Sequence, residues 1–238
     1  MKKSLPFIII GAVLLVAVGG TWALMRKKQS DSNPLTPTGA PLSGTLSATT
    51  PNGKSGLNQS GAGLTKPNVK VSSPVILEEY GDYQCPPCGQ LHPELKRLEH
   101  EYGDQLQVVF RHFPLTTIHK NAMAAAHAAE AARNQGKFWD MHDLLYRNQV
   151  EWAESADAKT IFVSYAQRLN LNLNQFNSDV GSNLINQRIT ADLQRGASMR
   201  VTGTPTVFLD GNLLRYEATT PEGLRRAINI LLEQKAGS

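Results

Sequence analysis

The stretch DYQCPPCGQLHPEL, residues 82–95, contains the two cysteines of a 238-residue chain, Cys85 and Cys88. Two residues separate them, a spacing found both in redox-active dithiols and in half of a metal site. Leu91 and Leu95 follow at helical spacing, and proline is tolerated in the first turn of a helix. The stretch therefore predicts a helix that begins within the CPPC segment, with both cysteines at its start.

Strand-forming segments lie on both sides of this helix. Residues 74–80, PVILEEY, predict a strand that ends at Gly81, and residues 106–113, LQVVFRHF, predict a second one. A strand, a helix and a strand in this order form a βαβ unit, which implies parallel pairing and a right-handed crossover.

The rest of the chain predicts a helical block, a hairpin and a last helix. Residues 119–200 have helical character throughout. Four helices are predicted there, at 121–136, 137–149, 157–170 and about 183–199. Strand character then returns, with Asp210-Gly211 as a hairpin turn. A final helix opens at Thr220-Pro221. The order βαβ, helices, ββα predicts an α/β fold.

Charge does not indicate nucleic-acid binding. The chain has a net charge of +4, but five basic residues flank one apolar N-terminal segment: Lys2, Lys3, Arg26, Lys27 and Lys28. Residues 69–238 contain 17 Lys and Arg against 19 Asp and Glu, a net charge of −2. No basic surface is predicted for a phosphate backbone, so no nucleic-acid partner is expected.

The apolar N-terminal segment predicts a membrane anchor. From Leu5 to Met25 there are 21 residues without a charged side chain, enough to cross a bilayer core of about 30 Å. We expect an uncleaved anchor over residues 1–28. A cleaved signal peptide is the alternative, although it has a shorter apolar core. Residues 29–68 are rich in Ser, Thr, Pro, Gly and Asn, a composition that predicts a flexible tether.

Several motifs in the folded part carry a family resemblance. They are, in order, DYQCPPC, FRHFPL, NQGKFWDMHDLL and VTGTPTVFLDG. With them, residues 69–238 resemble the DsbA family of thiol–disulfide oxidoreductases. The resemblance implies a thioredoxin fold with a helical domain inserted at about 117–200. It also implies an enzyme whose cofactor-free redox centre is the disulfide between Cys85 and Cys88.

The position of Cys85 gives a physical reason for such chemistry. Unpaired N–H groups and the helix dipole stabilise a thiolate at a helix start. Cys85 is therefore predicted to be the nucleophile and the deeper Cys88 the resolving cysteine. Pro86 and Pro87 modulate this site, because Pro87 has no N–H to donate to the Cys85 thiolate. The strongest oxidants of the family carry His there, so weaker activation is expected here.

Three more residues are assigned roles by the resemblance. Thr204 and Pro205 match the loop that packs beside the active disulfide and pairs with an extended substrate. Its proline is cis, and an ordinary trans proline is the alternative. Glu79 matches an acid that relays a proton to the buried cysteine. The alternative for Glu79 is a solvated carboxylate at a strand edge.

Metal and nucleotide sites are not predicted. His92, one helical turn after Cys88, would have to join the two thiols at zinc or copper, and the remaining ligands of a structural zinc site are missing. Four other histidines of the folded part are interpreted as packing or surface residues: His112, His119, His127 and His142. No GxGxxG or Walker motif occurs, which argues against a nucleotide cofactor.

Together these features predict an anchored, extracytoplasmic thiol–disulfide oxidoreductase in the periplasm or on the outer side of the cell. A single cysteine pair suits an oxidising compartment. The expected partners are exported, unfolded proteins that contain cysteines, and a membrane redox protein that reoxidises or reduces the site. One alternative is a disulfide isomerase or reductase, although isomerases of this superfamily usually add a dimerisation domain. Another is a non-catalytic metal-binding or adhesive module.

Overall fold

A computed structural model describes residues 64–65 and 73–237. The strands are β1 (Leu64–Thr65), β2 (Val75–Gly81), β3 (Leu106–His112), β4 (Thr206–Leu209) and β5 (Asn212–Leu213). The helices are α1 (Pro86–Tyr102), α2 (Ala122–Arg133), α3 (Phe138–Arg147), α4 (Gln149–Trp152), α5 (Ala158–Arg168), α6 (Leu173–Asp179), α7 (Asn183–Ser198) and α8 (Pro221–Ala236). Two 3-10 turns, Gly103–Gln105 and Tyr216–Ala218, complete the described elements.

The strands form one mixed sheet in the order β1-β3-β2-β4-β5. Strands β2 and β3 are parallel, and α1 connects them, so the predicted βαβ unit is confirmed. Strand β4 pairs antiparallel with β2 on its other side. Strand β2 is therefore central, and the CPPC segment follows directly from its end.

Side-chain alternation along β2 assigns its residues to two faces. Val75 and Leu77 are fully buried in a cluster with leucines of α1 and with Leu224 and Ile228 of α8. Glu79 is the next residue on this face, which places a carboxyl among apolar side chains. The other face carries Glu78, which contacts the inserted helices. The two adjacent glutamates thus have different surroundings.

The inserted domain lies between β3 and β4 and contains six helices, α2 to α7. The fold is therefore a thioredoxin fold, βαβ … ββα, with a helical insertion, as predicted. The sequence pattern predicts four helices in this range; α4 and α6 are additional and short. Buried alanines of α2 pack against α3, α5 and neighbouring aromatic side chains in one cluster.

The C-terminal hairpin and helix agree with their sequence signals. Asp210 and Gly211 both have positive φ, 46° and 79°, as a tight hairpin turn requires. Thr220 caps α8 by accepting a hydrogen bond from the amide of Gly223. Both β4–β5 pairing and the predicted start of α8 are confirmed.

The predicted anchor, residues 1–28, and nearly all of the predicted tether, residues 29–68, lie outside the described residues. Leu64–Thr65 falls inside the tether range, yet it pairs antiparallel with β3 as strand β1. Backbone pairing with the sheet therefore begins before residue 69, where the folded domain was predicted to start. In the described ranges, no helix has the length and apolar character needed to cross a membrane.

Candidate active site

The two cysteines lie at the start of α1. Cys85 is the residue that precedes the first turn, and Pro86 and Pro87 occupy the first two helical positions. Neither proline has an N–H group, so the first helix amide free to donate is that of Cys88. Both cysteines are unbonded thiols; Cys85 is 5% exposed and Cys88 is completely buried. The expectation that Cys88 lies deeper is confirmed.

The surroundings shift the pKa values of the two thiols in opposite directions. A hydrogen bond from the Cys88 thiol, helped by Thr204 and by the Cys88 amide, outweighs burial and lowers the pKa of Cys85 to about 6. Burial, together with the hydrogen bond to Cys85, raises the pKa of Cys88 well above its usual value. At neutral pH one sulfur is therefore ionised and the other keeps its proton, as a nucleophile and its resolving partner require.

Thr204 and Pro205 lie beside this pair, although they are more than a hundred residues away in sequence. The Cys85 thiol donates to the Thr204 carbonyl oxygen at 3.3 Å. The Thr204–Pro205 peptide bond is cis, which confirms that part of the resemblance. The Thr204 hydroxyl has no hydrogen-bond partner among the described residues. It is thus a donor available to a thiolate at Cys85.

Glu79 is buried close enough to the cysteines to interact with both of them electrostatically. It is 2% exposed, and its Oε1 has no hydrogen-bond partner within the described part of the chain. Burial, with a smaller contribution from the charge of Cys85, raises the pKa of Glu79 to about 8. The alternative of a solvated edge carboxylate is wrong, because β2 is a central strand. Glu79 is instead protonated at neutral pH. It lies near Cys88, and a negative charge on Glu79 would raise the pKa of Cys88.

Asp82 fixes the turn between β2 and α1, a role that the sequence analysis did not identify. Its carboxylate accepts hydrogen bonds from the amides of Gln84 and Leu115, at 2.8 and 2.9 Å, and lies 2.7 Å from Nδ1 of His119. The backbone carbonyl of Asp82 also accepts from the Cys85 amide. The turn that carries Cys85 is therefore tied to the loop after β3. An aspartate side chain often accepts a hydrogen bond from the backbone amide two residues later in a turn. This local pattern at Asp82 and Gln84 could have indicated the role from the sequence.

Gln149 joins the helical insertion to the active-site turn. Its role was not identified from the sequence. Its Nε2 donates to the carbonyl oxygens of Tyr83 and Cys85, at 2.6 and 2.9 Å. A Cβ atom at Gly89 would lie 2.7 Å from Gln149 Oε1, so α4 and α1 approach closely here. Gln84 makes the reciprocal connection by donating to the Ala153 carbonyl. Gln149 is thus a positioning residue for Cys85.

We expect Gln149→Leu to lower the free energy of unfolding by about 2 kcal/mol, since two hydrogen bonds worth about 1 kcal/mol each are lost. The variant should also raise the pKa of Cys85, because the start of α1 is no longer held in place. Urea denaturation and titration of the thiolate by ultraviolet absorbance measure the two effects. Gln135→Leu is the matched control, since the Gln135 side chain bonds to the Asn172 backbone in the insertion and not to the active-site turn. An unchanged pKa of Cys85 in Gln149→Leu would refute the positioning role.

A model of the family described as Thioredoxin matches residues 70–230. Among solved structures, BdbD from Bacillus subtilis superposes with a TM-score of 0.62 at 18% identity, covering 73% of this chain and 94% of that one. The thiol-disulfide exchange protein α-DsbA2 from Wolbachia pipientis superposes with a TM-score of 0.59 at 21% identity, covering 71% and 87%. These similarities show that the chain shares the fold of DsbA-like proteins.

Curated relatives match only over part of their length. The Na(+)/H(+) antiporter NhaA 1 of Salinispora arenicola is 42% identical over 139 residues, which are 58% of this chain and 20% of that protein. The NhaA protein of Herminiimonas arsenicoxydans is 34% identical over 148 residues, 61% and 22%. The chain therefore spans about a fifth of the length of these relatives. Since the family model covers more than half of the 238 residues, the chain belongs to the thioredoxin family.

Proposed function

We propose that this protein is an extracytoplasmic thiol–disulfide oxidoreductase that introduces disulfides into exported proteins through Cys85 and Cys88. The observation that carries the proposal is the contrast between the two thiols at one helix start. The pKa of Cys85 is lowered to about 6, while that of Cys88 is raised. A stable Cys85 thiolate is a good leaving group and favours the reduced form of the protein, which makes its disulfide an oxidant.

In the proposed reaction, a substrate thiolate attacks Sγ of Cys85 in the Cys85–Cys88 disulfide. A bond forms between the substrate sulfur and Cys85, and Cys88 leaves with the electron pair. Glu79, which is protonated at neutral pH, supplies the proton that converts the Cys88 thiolate to a thiol. Thr204 and Pro205 lie beside Cys85 and are the proposed contact for the extended substrate.

A second substrate thiolate then attacks the substrate sulfur of the mixed disulfide. Cys85 leaves as a thiolate, which the Thr204 hydroxyl and the Cys88 thiol stabilise. The substrate dithiol has lost two electrons and the protein disulfide has gained them. A membrane redox protein is the proposed acceptor that restores the Cys85–Cys88 disulfide. The uncharged segment from Leu5 to Met25 supports the proposed membrane anchor. The proposed location outside the cytoplasm rests on the single cysteine pair, which suits an oxidising compartment.

The test is oxidation of a reduced, unfolded substrate by the oxidised protein in stoichiometric amount. Reduced ribonuclease should lose thiols as fast as Cys85 and Cys88 gain them. Unchanged thiols on ribonuclease after mixing would refute the proposal. Repair of scrambled ribonuclease without net thiol loss would favour the isomerase alternative, and a dimer in solution would support it. Ion antiport is not proposed, because the chain covers about a fifth of the proteins named for it.

The proline at position 87 gives a prediction about oxidising strength. Pro87→His restores an amide N–H two residues after Cys85 and adds an imidazole, so the thiolate should be stabilised and the pKa of Cys85 should fall. A fall of one pH unit corresponds to about 1.4 kcal/mol, or about 30 mV toward a more oxidising potential. Glutathione titration measures the change. Pro87→Ala restores the amide alone and separates the two contributions; a potential that stays the same or falls in Pro87→His would contradict this reasoning.

A further inference from the structure

Two buried histidines and an aspartate meet between α1 and α3, one helical turn beyond Cys88. They are His92 on α1, and His142 and Asp143 on α3. One ligand atom from each residue lies within 4.8 Å of the other two. The histidines are 5% and 4% exposed, and neither cysteine belongs to the group. The proposed disulfide chemistry makes no use of these side chains.

The separation between His92 and Asp143 suits a shared metal ion. Nε2 of His92 lies 3.6 Å from Oδ1 of Asp143, too far for a hydrogen bond. In tetrahedral zinc sites with bonds of about 2.0–2.1 Å, neighbouring ligand atoms are about 3.3 Å apart. Oδ1 is buried and has no hydrogen-bond partner among the residues described. The His92–Asp143 pair would therefore need to close by only a few tenths of an ångström for a metal ion to bind this oxygen.

The other oxygen of Asp143 is held by two cations. Lys96 Nζ lies 2.9 Å from Oδ2, and Arg147 lies 3.6 Å from it. Both contacts are made to Oδ2, so Oδ1 is the atom turned toward His92. The positive charges orient the carboxylate but weaken its attraction for a cation. This competition predicts that removal of Lys96 strengthens metal binding.

Aromatic neighbours fix both imidazole rings. His92 stacks on Tyr146, with ring centroids 5.1 Å apart and an angle of 27° between the planes. The Tyr83 hydroxyl lies 3.1 Å from Nδ1 of His142. Hydrogen bonding to one ring nitrogen is the usual way in which a metal-binding histidine is oriented. His92 also lines a surface cavity of about 430 Å³, which gives a solute access to this member of the group.

We propose that His92, His142 and Asp143 bind a divalent transition-metal ion, with zinc or copper(II) as the fitting class. Two imidazoles and one carboxylate oxygen match the donors that these ions prefer. A water molecule would complete four-coordination. In the sequence His92 is one helical turn from Cys88, but the structure groups its ring with His142 and Asp143 of α3.

The experiment titrates zinc chloride into the full-length Cys85→Ser/Cys88→Ser protein, so that no thiol can bind the ion. We expect one zinc ion per chain by calorimetry, and competition with a chromophoric chelator gives the affinity. His92→Gln and Asp143→Asn, in the same background, should each weaken binding at least about tenfold. Lys96→Gln should tighten it. His127→Gln is the matched control, because His127 lies on α2 and bonds to Asn186.

Two results would overturn the proposal: no zinc bound at equilibrium, or binding that survives unchanged in both His92→Gln and Asp143→Asn. Circular dichroism and thiol exchange of each substitution in the cysteine-containing protein check that the variants fold. Should His92→Gln unfold, Asp143→Asn and Lys96→Gln still decide the question, since they are expected to change affinity in opposite directions. Cobalt(II) absorption in the thiol-free protein provides an independent test, because tetrahedral coordination produces intense visible bands.

Discussion

A Cys85→Ser variant is expected to oxidise reduced ribonuclease no faster than the uncatalysed reaction. The serine hydroxyl cannot form a disulfide, and the remaining sulfur, Cys88, is fully buried with a pKa raised by burial and by its hydrogen bond to Cys85. A substrate thiolate therefore has no accessible sulfur to attack. Thiol trapping followed by a gel shift measures the oxidation.

Cys88→Ser is the matched variant, and it should behave differently. Cys85 keeps part of the surroundings that lower its pKa and can still form a mixed disulfide with an activated substrate disulfide. No second sulfur is present to resolve that species, so it should accumulate. Full activity in Cys85→Ser, or accumulation of mixed disulfides in Cys85→Ser instead of Cys88→Ser, would show that the roles of nucleophile and resolving cysteine are assigned wrongly.

A Glu79→Gln variant is expected to gain stability over the wild type as pH rises. The pKa of Glu79 is about 8 in the folded state, mainly through burial, against 4.5 for an unperturbed carboxyl. Between these pH values the unfolded chain loses a proton that the folded chain keeps. The free energy of unfolding of the reduced wild type therefore falls across this window, by on the order of 4 kcal/mol. A glutamine side chain does not titrate, so the variant escapes this loss.

The adjacent Glu78 provides the control, because its pKa is shifted in the opposite direction. Burial opposes its ionisation, but hydrogen bonds from Arg195 and Arg111 outweigh burial and lower its pKa. Its stabilising contribution is present above the unfolded pKa and is lost as pH falls through the folded pKa. Glu78→Gln should therefore be destabilised relative to the wild type at neutral pH.

Urea denaturation of the reduced proteins near pH 4.5 and near pH 8 measures both effects. Equal pH dependence in Glu79→Gln and the wild type would mean that Glu79 is ionised when the protein is folded. A carboxylate of that kind would hold no proton at neutral pH, and it could not serve as the proton donor to Cys88 in the proposed exchange.

Features with a short-range cause were predictable from the sequence. The start of α1 follows from two prolines after Cys85, and the β4–β5 turn follows from Asp210-Gly211, where positive φ is needed. The DsbA-like order of motifs predicted the position of the helical insertion and the cis state of Pro205. Local periodicity did not predict α4 and α6, because four- and seven-residue helices contain too few turns to show a pattern.

Contacts between residues that are far apart in the sequence could not be predicted in this way. Gln149 is 64 residues from Cys85, and nothing in its neighbourhood distinguishes it from other polar residues at the end of a helix. Glu79 was ambiguous because its burial depends on which strand is central, and that depends on pairing with β3 and β4. The grouping of His92 with His142 and Asp143 depends likewise on the packing of α1 against α3.

The most direct test of the account is the equilibrium reduction potential of the Cys85–Cys88 pair. The full-length protein would be equilibrated in glutathione buffers, and its thiols would be trapped and counted by mass. We expect a potential in the range of oxidants and isomerases, roughly −120 to −180 mV, since the Cys85 thiolate is stabilised. A value near about −270 mV would contradict disulfide donation and indicate a reductase. Absence of any redox transition would contradict the account as a whole.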